Sequence, residues 1–169
     1  MKDQLKTTKR VQKIADSIEG EGKELLINIR KKVFQSLDFK NYNEKTKEHE
    51  KSIRWKRSAN EILGQGYVYE GKACTDIIIA FLGLAKAKGL EGKFVKVYNQ
   101  KYVHSMAEVK IKESWYYYDI ASYNSRPKKG KFTKKEEKEG WRLWKKGKDA
   151  WSIGLKNYND INKISNNPM

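Results

Sequence analysis

Between Thr75 and Lys88 the chain reads TDIIIAFLGLAKAK, a run whose apolar residues Ile77, Ile78, Ile79, Phe81, Leu82 and Leu84 leave almost no polar face. Its length, and the alanines at 80, 85 and 87, suit a helix buried all round better than a strand. Gly89 follows as its stop. The rest of the chain must cover such a helix, and the sequence that follows supplies the means. KFVKVY (93–98), YVHSMAEVKI (102–111) and SWYYYDIA (114–121) are rich in valine, tyrosine and tryptophan and are separated by short polar links. They read as an antiparallel meander packed on the central helix.

Upstream, from about residue 2 to residue 52, Val11, Ile14 and Ile18, then Leu25, Ile27, Ile29, Val33 and Leu37, recur at helical spacing, which predicts two helices broken at EGEGK. A third helical segment begins at Ser58, where Ser-Ala-Asn-Glu has the form of a capping box, and should end at Gly64 or Gly66. After Pro127 a lysine-rich linker leads into GWRLWKKGKDAWSIGLKNYNDI, a tryptophan-rich tail expected to close the core. The fold class is therefore α+β, in one domain of 169 residues: a helical amino-terminal extension (about 1–52), a core (about 55–121) and a carboxy-terminal segment (about 127–169).

The formal charge of +16 invites a nucleic-acid reading. Its make-up weakens it. Of 37 basic residues 31 are lysines, interleaved with glutamates in stretches such as NEKTKEHEKSIRWKR, whereas base reading and bidentate phosphate recognition favour arginine. A solvated lysine-rich surface, with at most weak and non-specific nucleic-acid binding, is the expectation. No zinc-finger spacing or glycine-rich phosphate loop accompanies the charge. One cysteine and two histidines argue against a structural metal, and no cofactor motif is present. No apolar run reaches the roughly 18 to 20 residues of a membrane span, and MKDQLKTTKRVQK lacks a secretory apolar stretch, so a soluble, cytoplasmic protein without membrane association is expected. The oligomeric state is not legible.

The single cysteine, Cys74, falls at or next to the first turn of the apolar helix, where unpaired backbone N–H groups and the helix dipole favour a thiolate. Gly71 permits a sharp bend just before it. A free cysteine is otherwise commonly a small buried hydrophobe, so partners decide. A thiolate nucleophile needs a base, best oriented by a third group. His104 lies on the second strand candidate, on the face it shares with Met106, Glu108 and Lys110. If the next turn is Lys112 and Glu113, Ile111 opposes Ser114, Met106 opposes Asp119, and His104 and Asp119 become diagonal neighbours on one face at roughly 7 to 8 Å. A three-residue turn would separate them. Each residue also has a plain structural reading: His104 as a satisfied strand polar group, Asp119 as a strand terminator. His49, in KEHEK, reads as an exposed helix residue.

GKACTD, AKAKGLEGKFV, HSMAEVKI and WYYYD, in that order, resemble the transglutaminase-like superfamily, a branch of the papain-like cysteine enzymes. The resemblance covers about residues 55–121. It implies Cys74 as nucleophile, His104 as general base and acid, and Asp119 as the group orienting the imidazole. WKRSANEIL resembles the family segment whose tryptophan gives an indole N–H to the oxyanion, here Trp55, with the Cys74 backbone N–H as second donor. Gln65 and Tyr69 compete with Trp55, which is equally readable as core. Met106 stands where the family commonly has tryptophan, two residues after the histidine, which implies a more open aromatic wall. GKDAWSIGL resembles a segment that follows the core and is read as structural.

These readings lead to a cysteine-dependent enzyme acting on a peptide or protein amide through a thioester. The resemblance favours hydrolysis, as by a peptidase or amidase. Transamidation is the alternative, and a non-catalytic binding module for an acidic partner or nucleic acid is the alternative of another class.

Overall fold

The computed structural model describes residues 2–134 and 136–165; Met1, Lys135 and residues 166–169, at the margins of the predicted extension and within the tail, lie outside that description. Thr8 opens the first helix, α1 (Lys9–Asp16), by accepting the Val11 N–H. α2 (Gly22–Gln35) follows the predicted break, and a short strand β1 (Asp38–Lys40) leads to α3 (Lys47–Ile53). Ser58 and Glu61 form the expected capping box of α4 (Ala59–Gln65), which Gly66 ends in the left-handed conformation at φ 75°. β2 (Tyr67–Tyr69) runs parallel to β1.

The apolar run forms α5 (Cys74–Ala87), and Thr75 through Ala85 are all buried. Ile78, Ile79 and Phe81 have no exposed surface, a burial that contributes about 1.5 to 3 kcal/mol for each such side chain. α1, α2 and α4 contact one side of α5, and β3 (Glu91–Tyr98) and β4 (Val103–Ile111) contact the other. Val11, Leu26, Ile29 and Val33 join Ile78, Phe94 and Ala107 in one apolar cluster. α5 is thus enclosed as its composition requires.

The sheet has six strands in the order β6-β5-β4-β3-β8-β7, where β5 is Ser114–Tyr118, β6 Lys128–Lys129, β7 Glu137–Lys138 and β8 Trp141–Gly147. All neighbours are antiparallel. Its far face carries a second cluster of Val95, Val97, Met106, Tyr117 and Phe132, with Trp141 and Leu143 against it. On this face the buried Glu108 carboxylate accepts the Phe132 N–H and the Lys146 ammonium, which fixes the loop after β6. A last short helix, α6 (Ile161–Ser165), closes the described chain.

Two expectations are corrected. The amino-terminal part holds α3 and β1 besides the two predicted helices, because a seven-residue charged helix and a three-residue exposed strand carry no readable period. The third meander strand stops at Tyr118, not Ala121, where the Ser122 N–H turns back to the Asp119 carbonyl. The tail closes the core as expected, placing Trp144, Ala150, Ile153 and Leu155 in the main cluster, and it also supplies β8, paired to β3 across an irregularity at Lys96/Val97, a strand whose alternation its lysines hid.

Candidate active site

Gly71, at φ 75°, turns the chain into α5, and Cys74 takes the first helical position after Ala73. There its backbone N–H has no intrahelical acceptor. The side chain is half-buried, with Sγ 3.9 Å from the Ser105 hydroxyl of β4.

The β4–β5 turn is Lys112 and Glu113, with Lys112 at φ 56°, and Ile111 opposes Ser114 while Ala107 opposes Tyr118. In that register His104 and Asp119 share a face, and His104 Nε2 lies 2.6 Å from Asp119 Oδ1. Nδ1 is therefore the ring nitrogen left for the sulfur. The other carboxylate oxygen accepts the Ser122 hydroxyl at 2.7 Å. Arg30, from α2, donates to the carbonyls of Ile120 and Ser122 and so fastens the turn that carries Asp119. Trp141 of β8 stacks on the His104 ring, with centroids 5.1 Å apart at 24°. Met106, two residues after His104, is instead buried in the far-face cluster.

Beneath the sulfur lies Lys96 of β3, 1% exposed. Its ammonium donates to Ser105 Oγ at 3.0 Å and Thr75 Oγ1 at 3.3 Å, those two hydroxyls are 2.8 Å apart, and the charge sits 4.9 Å from the centre of the Trp55 ring. Trp55 is 4% exposed and has a φ of 62°, a left-handed conformation rare for a bulky residue. Its carbonyl accepts the Trp151 indole N–H at 2.6 Å. Gln4, fully buried, binds the backbones of Arg57, Ala150 and Trp151, so the tail and the amino terminus together hold this bend. The Trp55 indole N–H has no acceptor among the described residues, yet it is not one of the buried unpaired side-chain atoms, which are Arg57 Nε and Ser125 Oγ.

Of the competing residues, Gln65 accepts from Arg57 through its amide oxygen at 3.1 Å, a bond that does not use its NH2 donor, and the Tyr69 hydroxyl bonds His49 Nδ1 at 2.7 Å. His49 is exposed on α3, as expected.

Burial acts to raise the Cys74 thiol, but the Lys96 charge, and then hydrogen bonding to and the charge of His104, more than reverse it and bring the thiol down to about 6. Burial likewise acts to lower His104, and Asp119 and Cys74 outweigh it, so the imidazole rises to about 9. Asp119 stays below the ordinary carboxylate value despite burial, through His104, Ser122 and Arg30. Lys96 falls below its ordinary value because burial outweighs the attraction of Cys74. Between about 6 and 9 the arrangement favours a thiolate beside an imidazolium. Among the described residues no group of three or more His, Cys, Asp or Glu is placed to hold a metal ion.

Sequence reasoning missed Lys96, Ser105, Trp141, Arg30 and Ser122. Lys96 alone left a signal: in FVKV both faces of the strand are apolar around it, so the lysine cannot reach solvent on either.

No protein-family model and no curated protein matches the sequence. Among solved structures the chain is similar to a protein of Cytophaga hutchinsonii described as a candidate cysteine protease, with a TM-score of 0.58 at 15% identity over 90% of this chain and 48% of that one. The chain thus spans about half the length of that protein and shares its fold over that half, a mixed arrangement of helices and a curled antiparallel sheet.

Proposed function

We propose that the chain is a cysteine-dependent hydrolase of amide bonds, a peptidase or amidase acting through a thioester. The observation that carries this reading is the 2.6 Å bond from His104 to Asp119, which leaves the other ring nitrogen free to serve a thiol at a helix amino terminus. The thiolate of Cys74 attacks the carbonyl carbon. The oxyanion accepts from the Cys74 backbone N–H and the Trp55 indole. His104 gives its proton to the departing amine as the C–N bond breaks, leaving a thioester, and then takes a proton from the water that attacks it. The acid leaves and the thiolate returns. Asp119 keeps the ring oriented throughout. The protein of Cytophaga hutchinsonii whose fold this chain shares is described as a candidate cysteine protease, which supports this reading.

The test is turnover by wild type and Cys74→Ala on three substrate classes: peptides, isopeptides, and glutamine peptides offered with an amine. Hydrolysis lost in Cys74→Ala supports the reading. Incorporation of the amine in preference to water would make the protein a transamidase. Hydrolysis undiminished by Cys74→Ala would overturn it.

A further inference from the structure

A buried ammonium is unfavourable unless an opposite charge compensates it. Lys96 has only neutral partners among the described residues: two hydroxyls and the face of an indole. The other charged groups around it are matched. From the segment after α3, Arg57 pairs with Asp76 of α5 at 2.8 Å, and Arg54 pairs with Glu50 of α3. From the sheet, His104 pairs with Asp119. That leaves one cation over. The group near it able to carry the missing negative charge is the sulfur of Cys74, which shares the Ser105 hydroxyl with the ammonium.

We infer that Lys96 is the fixed counter-charge of the Cys74 thiolate, acting from behind the sulfur and separately from His104. It is a positioning residue that does not touch substrate, and the inference rests on the reading of Cys74 as a nucleophile. The two cations divide the work. His104 must surrender its proton to the leaving amine, so it cannot hold a constant charge through the cycle. Lys96, walled in by Thr75, Ser105 and Trp55, has no route to that amine. When water attacks the thioester, the C–S bond breaks with its electron pair returning to sulfur, and Lys96 already faces that charge. The lowered Cys74 thiol, with Lys96 the leading cause after burial, agrees with this role.

The test reads the thiol and needs no substrate. Alkylation of the folded protein by iodoacetamide is followed against pH in wild type, Lys96→Met and Lys96→Gln. The glutamine retains partners for the hydroxyls should methionine pack badly. In either variant the alkylation midpoint should rise by a unit or more, so that the rate near pH 6 falls about tenfold or more. The same loss should appear on top of His104→Ala. Replacing the buried charge by an apolar side chain of similar length should leave the melting temperature unchanged or higher, whereas a purely structural lysine would lower it and leave the midpoint alone. A folded variant whose midpoint stays at the wild-type value overturns the inference. Failure of wild type to hydrolyse any amide would count against the proposed function, yet the thiol readout would still decide the role of Lys96.

Discussion

At the scale of single residues the site is a set of opposed shifts, and their signs give a pH profile. In the proposed mechanism Cys74 reacts as a thiolate, a form gained as pH rises through about 6, and His104 must carry a proton, a form lost as pH rises through about 9. The kcat/KM for a peptide substrate should therefore climb through about 6, level off, and decline through about 9. Asp119 is the strongest influence raising His104, so Asp119→Asn should move the falling limb to lower pH and the rising limb much less. A falling limb that stays in place would detach Asp119 from the imidazole. Trp55 is tested separately. Trp55→Phe keeps a ring against Lys96 and keeps the carbonyl that Trp151 binds, but removes the indole N–H. Turnover should fall about 10² or more with the melting temperature nearly unchanged, by analogy with losing one oxyanion donor. Unaltered turnover would move the role to Gln65, whose oxygen alone is held by Arg57, or to Tyr69.

At the scale of elements, legibility followed the range of the cause. α5 was readable because a helix apolar on every side has one solution, and the β4–β5 register was readable because two turn residues, Lys112 and Glu113, determine which side chains meet. From that register came the His104–Asp119 pair. Trp141 and Arg30 were not readable, since each reaches the site from a distant element, Arg30 across 90 residues. Lys96 was missed for another reason: in a chain with 31 lysines, charge reads as surface by default. Packing between helices has its own test. A Cβ added at Gly83 of α5 would lie 2.6 Å from the Ala59 Cβ of α4, closer than two methyl groups can approach. Neither atom can swing away, because both are attached directly to helix backbones. Gly83→Val should therefore cost about 1 to 3 kcal/mol of unfolding free energy in urea titration, despite the better helix propensity of valine over glycine. Ala59→Gly should recover part of that loss in the double variant, a coupling expected only if the two helices meet at this point. Strictly additive losses would mean that they do not.

At the scale of the whole molecule, the excess of 16 positive charges has two consequences that salt can separate from the chemistry. Like charges spread over one small surface repel, so added salt should raise the melting temperature by screening them. The same charges attract polyanions, but five of the six arginines, the residues best suited to reading bases, already have partners within the fold. Arg10 bonds Asn60, Arg30 holds two carbonyls, Arg54 pairs with Glu50, Arg57 with Asp76, and Arg142 faces Glu137 at 3.9 Å. Lysines do gather where Lys2, Lys56, Lys148 and Lys156 line a cleft of about 390 Å³ beside Trp151, yet a mobile ammonium attracts phosphate without selecting a sequence. Duplex and single-stranded oligonucleotides of unrelated sequence should therefore bind alike, with dissociation constants of roughly 10⁻⁴ to 10⁻⁶ M at physiological salt, and log affinity should fall linearly with log salt as counterions are released. Fluorescence anisotropy titrations at several salt concentrations measure this, and binding should be the same for wild type and Cys74→Ala, because the charged surface and the thiol are separate features. A strong sequence preference that survives physiological salt would instead make nucleic acid the partner around which this surface is built.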